Sequence, residues 1–115
     1  MHTEETTRLR QLIERFVKLT DDDWNLLTPH LQQKELRKQE LFATEGKVAR
    51  KVGFVLEGNM RHYYTRDGEE KTTYFYFENS FVAAYISCIT GQPSLLNIEA
   101  LTECRLLVFP YKILK

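Results

Sequence analysis

The sequence is poor in the features that would place it in several common classes of protein. Its 115 residues include two cysteines, Cys88 and Cys104, too few for the disulfide framework of a small secreted domain. Polar residues interrupt every long apolar stretch, and the acidic pair Glu4 and Glu5 does not fit the basic start of a signal peptide. We therefore expect a cytoplasmic protein without a membrane-spanning segment.

Net charge is also lacking, because 16 basic residues balance 16 acidic ones. Residues 1–40 carry seven basic and eight acidic residues, and residues 41–115 carry nine and eight. Neither part has the basic excess with which proteins bind the phosphates of nucleic acid. We expect that this chain does not itself contact DNA.

Patterns of catalytic and metal-binding residues are missing as well. The histidines His2, His30 and His62 lie in separate segments, without the spacing of zinc protease or cupin ligands. His62 is interpreted as a strand residue with a polar tip. Two cysteines cannot supply a four-cysteine metal site, and each is interpreted as a small core residue. We expect no enzymatic activity, no metal and no cofactor.

The first forty residues are predicted to be helical. Thr20 fits the N-cap of a second helix, with Asp23 at the capping-box position and Pro29 ending the helix near Thr28. The acidic residues at 21–23 could also suggest a metal, but capping accounts for all three. A first helix over residues 4–18 is predicted because apolar residues recur there at spacings of three and four: Leu9, Leu12, Ile13, Phe16 and Val17.

Residues 41–115 are predicted to form a β structure, since twelve of the fourteen aromatic residues lie there and the apolar period shortens toward two. Asp67 and Gly68 form a dipeptide that favours a tight hairpin turn. Residues 81–90 are predicted to be a strand end and a short helical turn, with 91–94 as a loop. The predicted strands cover residues 52–56, 60–65, 71–77, 96–101 and 105–109.

Four short motifs occur in an order and at spacings typical of one protein family. They are LFATEG at 41–46, VLEG at 55–58, RDGE at 66–69 and NSF at 79–81. Together with the lead-in at 19–24, they resemble the sensory domain of the Crp/Fnr family of bacterial transcription regulators. The resemblance covers nearly the whole chain. It implies a mainly β fold, an antiparallel double-stranded β-roll of the jelly-roll, cyclic-nucleotide-binding-domain kind, flanked by N-terminal helices.

The sequence departs from this family where its ligand-binding members hold a cyclic nucleotide. Those members place a glutamate on the ribose, and an arginine and a hydroxyl on the cyclic phosphate. The corresponding positions here are Ala84, Ser94 and Leu95, whereas Pro93 and Ile98 keep the family's architectural pattern. The resemblance therefore implies an effector-sensing domain with a degenerate cassette that does not bind cAMP or cGMP with useful affinity.

The resemblance also implies which residues would line a pocket for another small-molecule effector. Most come from the degenerate cassette, and two come from the facing strand. The candidates are Tyr74, Tyr76, Ala83, Ala84, Tyr85, Ser87, Ser94, Leu95 and Asn97.

The final residues, 111–115, are predicted to begin a helix. In the family, a dimerisation helix and a DNA-reading helix-turn-helix follow the β-roll, so we expect both beyond Lys115, with a homodimer as the full-length state. The alternative is a stand-alone module, or one similar to the cyclic-nucleotide-binding modules of kinases and channels.

Overall fold

Eight strands and three α-helices make up the computed structural model, which describes residues 4–15 and 18–114. The helices are α1 (Glu4–Glu14), α2 (Asp21–Leu27) and α3 (Tyr85–Thr90), with short 3-10 helices at Thr28–His30 and Tyr111–Leu114. The strands are β1 (Gln32–Leu36), β2 (Leu41–Ala43), β3 (Lys51–Glu57), β4 (Met60–Arg66), β5 (Glu69–Tyr76), β6 (Phe81–Val82), β7 (Asn97–Ala100) and β8 (Cys104–Pro110).

The strands form two four-stranded antiparallel sheets. The first sheet has the order β1-β8-β3-β6, and the second sheet has the order β2-β7-β4-β5. The predicted antiparallel β-roll with flanking helices is therefore confirmed. Since β8 lies between β1 and β3, strands distant in the sequence are paired within one sheet.

Two hydrophobic clusters separate the layers. The first lies between the two sheets and includes Val55, Met60, Ile98 and Leu106. The second lies on the opposite face of the first sheet, where Phe54 and Leu107 contact the helical segment. Side chains alternate across β3, so a nearly continuous apolar run supplies both clusters. The helical residues in the second cluster include Leu9 of α1 and Trp24 of α2, together with the partly buried Leu12, Ile13 and Leu27.

The predicted start of α2 is confirmed in detail. The Thr20 hydroxyl accepts a hydrogen bond from the Asp23 N–H at 3.1 Å, and the Asp23 carboxylate accepts one from the Thr20 N–H at 3.3 Å. This reciprocal pair satisfies two backbone donors at the helix start. The predicted β4–β5 hairpin is also confirmed, with positive φ angles of 53° at Asp67 and 79° at Gly68.

Ion pairs and hydrogen bonds hold α1 against the first sheet. Arg105 of β8 donates to Glu5 of α1 at 2.7 Å and to Glu57 of β3 at 2.9 Å. Arg8 of α1 donates to the Asn79 side chain at 2.7 Å and to the Leu56 carbonyl at 3.1 Å. These contacts join the N-terminal helix to the turn that precedes β6.

Two sequence predictions need correction. The first forty residues are not all helical, because residues 32–36 form β1 at the edge of the first sheet. The period-two signal is absent there since four of the five side chains are exposed and polar, and only Leu36 is buried. The first helix ends at Glu14, so Lys18 is not helical; Phe16 and Val17 lie outside the described residues.

Candidate functional site

A cavity of about 580 Å³ opens where α3 faces the inner surface of the second sheet. This volume lies within the range of roughly 300–1,000 Å³ that small-molecule sites occupy. Three parts of the chain enclose it: β4 and β5, the stretch from β6 through the start of α3, and the loop before β7. Its lining residues are His62, Thr73, Tyr74, Tyr76, Phe81, Ala83, Ala84, Tyr85, Ile86, Ser87, Ser94, Leu95 and Leu96.

The local sequence explains how α3 comes to cover this cavity. Val82 pairs with Gly53 of β3, and the chain then leaves the first sheet at two buried alanines, Ala83 and Ala84. The small side chains let the start of α3 lie close to the sheet. The helix ends at Gly91, whose φ of 75° is left-handed and whose N–H donates to the Ser87 carbonyl at 2.8 Å.

The two serines on the cavity wall use their hydroxyls to hold the backbone. The Ser87 hydroxyl donates to the Gln92 carbonyl at 2.5 Å and accepts from the Ala49 N–H at 2.8 Å. The Ser94 hydroxyl donates to the Leu96 carbonyl at 2.7 Å and accepts from the Leu96 N–H at 3.1 Å. Both serines are buried, so these bonds shape the loop and leave no serine hydroxyl proton for a ligand.

Aromatic rings form most of one wall. Tyr74 and Tyr76 are edge to face with ring centroids 5.0 Å apart, and His62 is edge to face with Tyr76 at 6.2 Å. Burial, with smaller contributions from Tyr85 and Tyr74, raises the pKa of Tyr76 to about 12. Burial is also the main reason that the pKa of Tyr85 is raised. Tyr76 and Tyr85 therefore remain neutral at physiological pH.

The cavity has no fixed charge. Among the described residues that line it, none is an aspartate, glutamate, lysine or arginine. His62 is the one basic side chain among the described lining residues, and burial lowers the pKa of its imidazole, which favours the neutral form. Its Nδ1 lies 2.9 Å from the Thr73 hydroxyl, which also donates to the His62 carbonyl at 3.2 Å.

The structure brings eight of the nine predicted pocket residues to this one cavity. Asn97 is the exception, because its side-chain carbonyl accepts a hydrogen bond from the Glu45 N–H at 2.8 Å and fixes the turn after β2. Sequence reasoning missed His62, which lies on the cavity wall. Its position opposite Tyr74 across the β4–β5 pair could have indicated this location. The other lining residues that were not predicted are Thr73, Phe81, Ile86 and Leu96.

Residues 4–15 and 18–114 contain no group of three or more histidine, cysteine or acidic side chains arranged to hold a metal ion. No helix in the same part of the chain is long and apolar enough to cross a membrane. Both cysteines are free; burial raises the pKa of each thiol, Cys104 being buried and Cys88 partly so.

The fold is similar to that of several solved proteins. The regulatory domain of Toxoplasma gondii PKA with cAMP matches with a TM-score of 0.83 and 16% identity, over 98% of this chain and 44% of that one. The regulatory subunit of a cAMP-independent protein kinase A from Trypanosoma brucei matches with a TM-score of 0.71 and 16% identity, over 93% and 42%. This chain thus spans less than half of either regulatory chain.

A transcription regulator provides the third similar structure. The sensor domain of the regulator DNR from Pseudomonas aeruginosa matches with a TM-score of 0.80 and 19% identity, over 96% of this chain and 77% of that one. No curated protein sequence matches the chain. The sequence model described as Cyclic nucleotide-binding domain matches residues 33–115, well over half of the chain. This protein therefore belongs to the cyclic nucleotide-binding domain family.

Proposed function

We propose that this domain is the effector-sensing part of a Crp/Fnr-type transcription regulator and that it senses an uncharged small molecule. The four sequence motifs at 41–81 support this assignment, as does the fold similarity to the DNR sensor domain. In this proposal the domain is cytoplasmic and has no catalytic role. The full-length protein is a homodimer that contacts DNA through a region outside this chain.

The observation that carries the proposal is the absence of charge from the described cavity wall. A cyclic nucleotide brings an anionic phosphate into such a site. By the resemblance, the positions of the ribose-binding glutamate and the phosphate-binding arginine hold Ala84 and Ser94. Truncating one partner of a buried charge pair costs about 2–5 kcal/mol, or roughly 30-fold or more in affinity. An uncharged effector avoids that cost.

Calorimetric titration with cAMP and with cGMP tests the exclusion of cyclic nucleotides. We expect no binding tighter than about 1 mM, because the cavity offers the phosphate no compensating cation. A dissociation constant in the micromolar range would contradict the proposal.

A gain-of-function variant makes this test sharper. The double substitution Ala84→Glu and Ser94→Arg adds both charges to the cavity wall, so we expect cAMP affinity to rise by about 30-fold or more in protein that circular dichroism shows to be folded. The matched control is Ile89→Glu with Gln92→Arg. It adds the same charges at exposed positions that do not line the cavity, and we expect it to leave cAMP affinity unchanged.

A kinase-type regulatory module is the second candidate function. The similarity to the two protein kinase A regulatory structures favours it, since both cover more than nine-tenths of this chain. The gene sequence that follows residue 115 distinguishes the candidates. A helix-turn-helix pattern there supports the transcription regulator, whereas a second domain of this family or a catalytic domain supports the kinase-type module.

A further inference from the structure

We propose that His62 selects the ligand of this cavity by accepting a hydrogen bond at Nε2 from an uncharged, planar aromatic molecule that carries an N–H or O–H donor. The inference rests on the proposed function, in which the cavity takes an uncharged effector, and it names the chemical class of that effector.

The hydrogen bonds of Thr73 assign a tautomer to the imidazole in this proposal. The Thr73 hydroxyl has one proton and donates it to the His62 carbonyl at 3.2 Å. With that proton on the carbonyl, the same oxygen accepts from Nδ1 at 2.9 Å, and Nδ1 carries the proton of the neutral ring. Nε2 is then the nitrogen with the lone pair, and no described side chain donates to it.

The surroundings of His62 keep the ring neutral. Burial alone lowers the pKa of this imidazole, and the other titratable groups lining the described cavity are Tyr74, Tyr76 and Tyr85. Burial raises the pKa of Tyr76 and of Tyr85, so neither adds a charge that would stabilise an imidazolium. Because Nδ1 is engaged by Thr73, Nε2 is the ring nitrogen left for a ligand that supplies a donor.

The shape of the cavity favours a flat, ring-containing ligand. His62 and Tyr74 each stand edge to face with Tyr76, and Tyr74, which is 59% exposed, is accessible to a further aromatic ring. At the mouth, Ile86 and Leu95 are 69% and 77% exposed although both line the cavity. An apolar rim around an uncharged interior suits a molecule of two or three rings better than a phosphate-bearing one.

Two fluorescent probes test the hydrogen bond directly. N-phenyl-1-naphthylamine is uncharged, aromatic and has a single N–H donor, and its N-methyl derivative lacks that donor. We expect the wild-type protein to bind the N–H probe about three- to tenfold more tightly than the methylated one, which is the usual gain from one neutral hydrogen bond. Fluorescence titration gives both dissociation constants.

Three variants distinguish the effect of the His62 acceptor nitrogen on probe binding from the effect of the packing of its ring. His62→Phe keeps a ring but removes Nε2, so we expect it to lose the preference for the N–H probe. His62→Gln restores an acceptor oxygen and should recover part of that preference. His30→Phe, an exposed histidine outside the cavity, is the matched control and should leave both affinities unchanged. Thermal unfolding by circular dichroism confirms that each variant is folded.

The outcomes distinguish the two proposals. Equal binding of both probes to the wild type, or equal weakening of both by His62→Phe, overturns the role of Nε2 and leaves the proposed function intact. If neither probe binds, the planar aromatic class is overturned and the proposed function stands. If micromolar cAMP displaces the probes, the proposed function itself fails.

A measurement of the tautomer is independent of the probe affinities. Nitrogen-15 NMR of the imidazole should show a protonated Nδ1 and an unprotonated Nε2, with the Nε2 signal moving when the N–H probe is added but not with the methylated probe. A protonated Nε2 in the neutral ring would overturn the inference.

Discussion

The two sheets of this roll have the same number of strands but very different surroundings. In the first sheet, the five central residues of β3 are all buried, because the helices cover one face and the second sheet covers the other. In the second sheet, β5 has one buried residue, Tyr76, and its outer face has no apolar cover among the described elements. The first sheet therefore has the larger share of the hydrophobic stabilisation, and the second has free surface around the cavity.

Electrostatic contacts replace apolar cover on the outer face of the second sheet. Arg61 donates to Glu99 at 2.7 Å, to Glu70 at 2.7 Å and to Thr72 at 3.1 Å. Its guanidinium also lies 3.9 Å from the centre of the Tyr63 ring. The hydrogen bonds to Glu70 and Glu99 raise the pKa of Arg61. One side chain thus connects β4, β5 and β7 across a surface open to solvent.

The largest expected difference between the sheets comes from truncating one phenylalanine in each. Phe54 of β3 is fully buried, so Phe54→Ala should lower the free energy of unfolding by about 3–5 kcal/mol. Phe75 of β5 is 50% exposed, and Phe75→Ala should cost about 1 kcal/mol or less. Urea unfolding measures both. Equal losses would show that the second sheet has as much of the core stabilisation as the first.

A smaller effect is expected from the Arg61 contacts. In double-mutant cycles using Arg61→Met with Glu99→Gln or Glu70→Gln, we expect a coupling of about 1–2 kcal/mol for Glu99 and about 0.5 kcal/mol or less for Glu70. The Glu70 hydrogen bond contributes more to the raised pKa of Arg61, but the Glu70 side chain is 53% exposed and that of Glu99 only 16%. Solvent screening therefore weakens the Glu70 contribution to stability. A larger coupling for Glu70 would contradict this ranking.

The smallest expected effect is on the pH dependence of the free energy of unfolding, and it comes from His62 of the second sheet. Burial lowers the pKa of His62 in the folded protein below the value of about 6.5 in the unfolded chain. Between those two values the unfolded chain binds more protons, so the free energy of unfolding should fall as pH drops below about 6.5. Urea titrations from pH 7.5 to 5 should show a shallower fall for His62→Phe than for the wild type. The same slope in both proteins would mean that other groups cause it.

The strands that sequence analysis located are those whose pattern reflects their burial. The apolar run of β3 and the Asp67–Gly68 turn carry local signals, and both lie where predicted. By contrast, β1 is a polar edge strand, and its strand character depends on pairing with β8, about seventy residues away. No local window contains that information.

The candidate site also combines features that the sequence indicated with features that it did not. Family resemblance placed the cassette residues around one cavity, but residue type alone did not show what each hydroxyl does. Ser87 and Ser94 hold backbone groups, and Asn97 fixes a neighbouring turn, because the loop needs those bonds to keep its shape. His62 reaches the cavity through cross-strand pairing, a property of the register that its own sequence neighbours do not encode.

The central position of β8 in the first sheet determines the order in which the molecule can assemble. The β4–β5 hairpin spans a few turn residues and can close within microseconds, even on a partly synthesised chain. The first sheet forms later, because β8 follows β1 through β7 in the chain and both β1 and β3 require it as a partner. Such distant pairing slows folding, since the loop must close before its contacts stabilise it. During synthesis, the apolar faces of the first sheet are therefore covered only after β8 has been made.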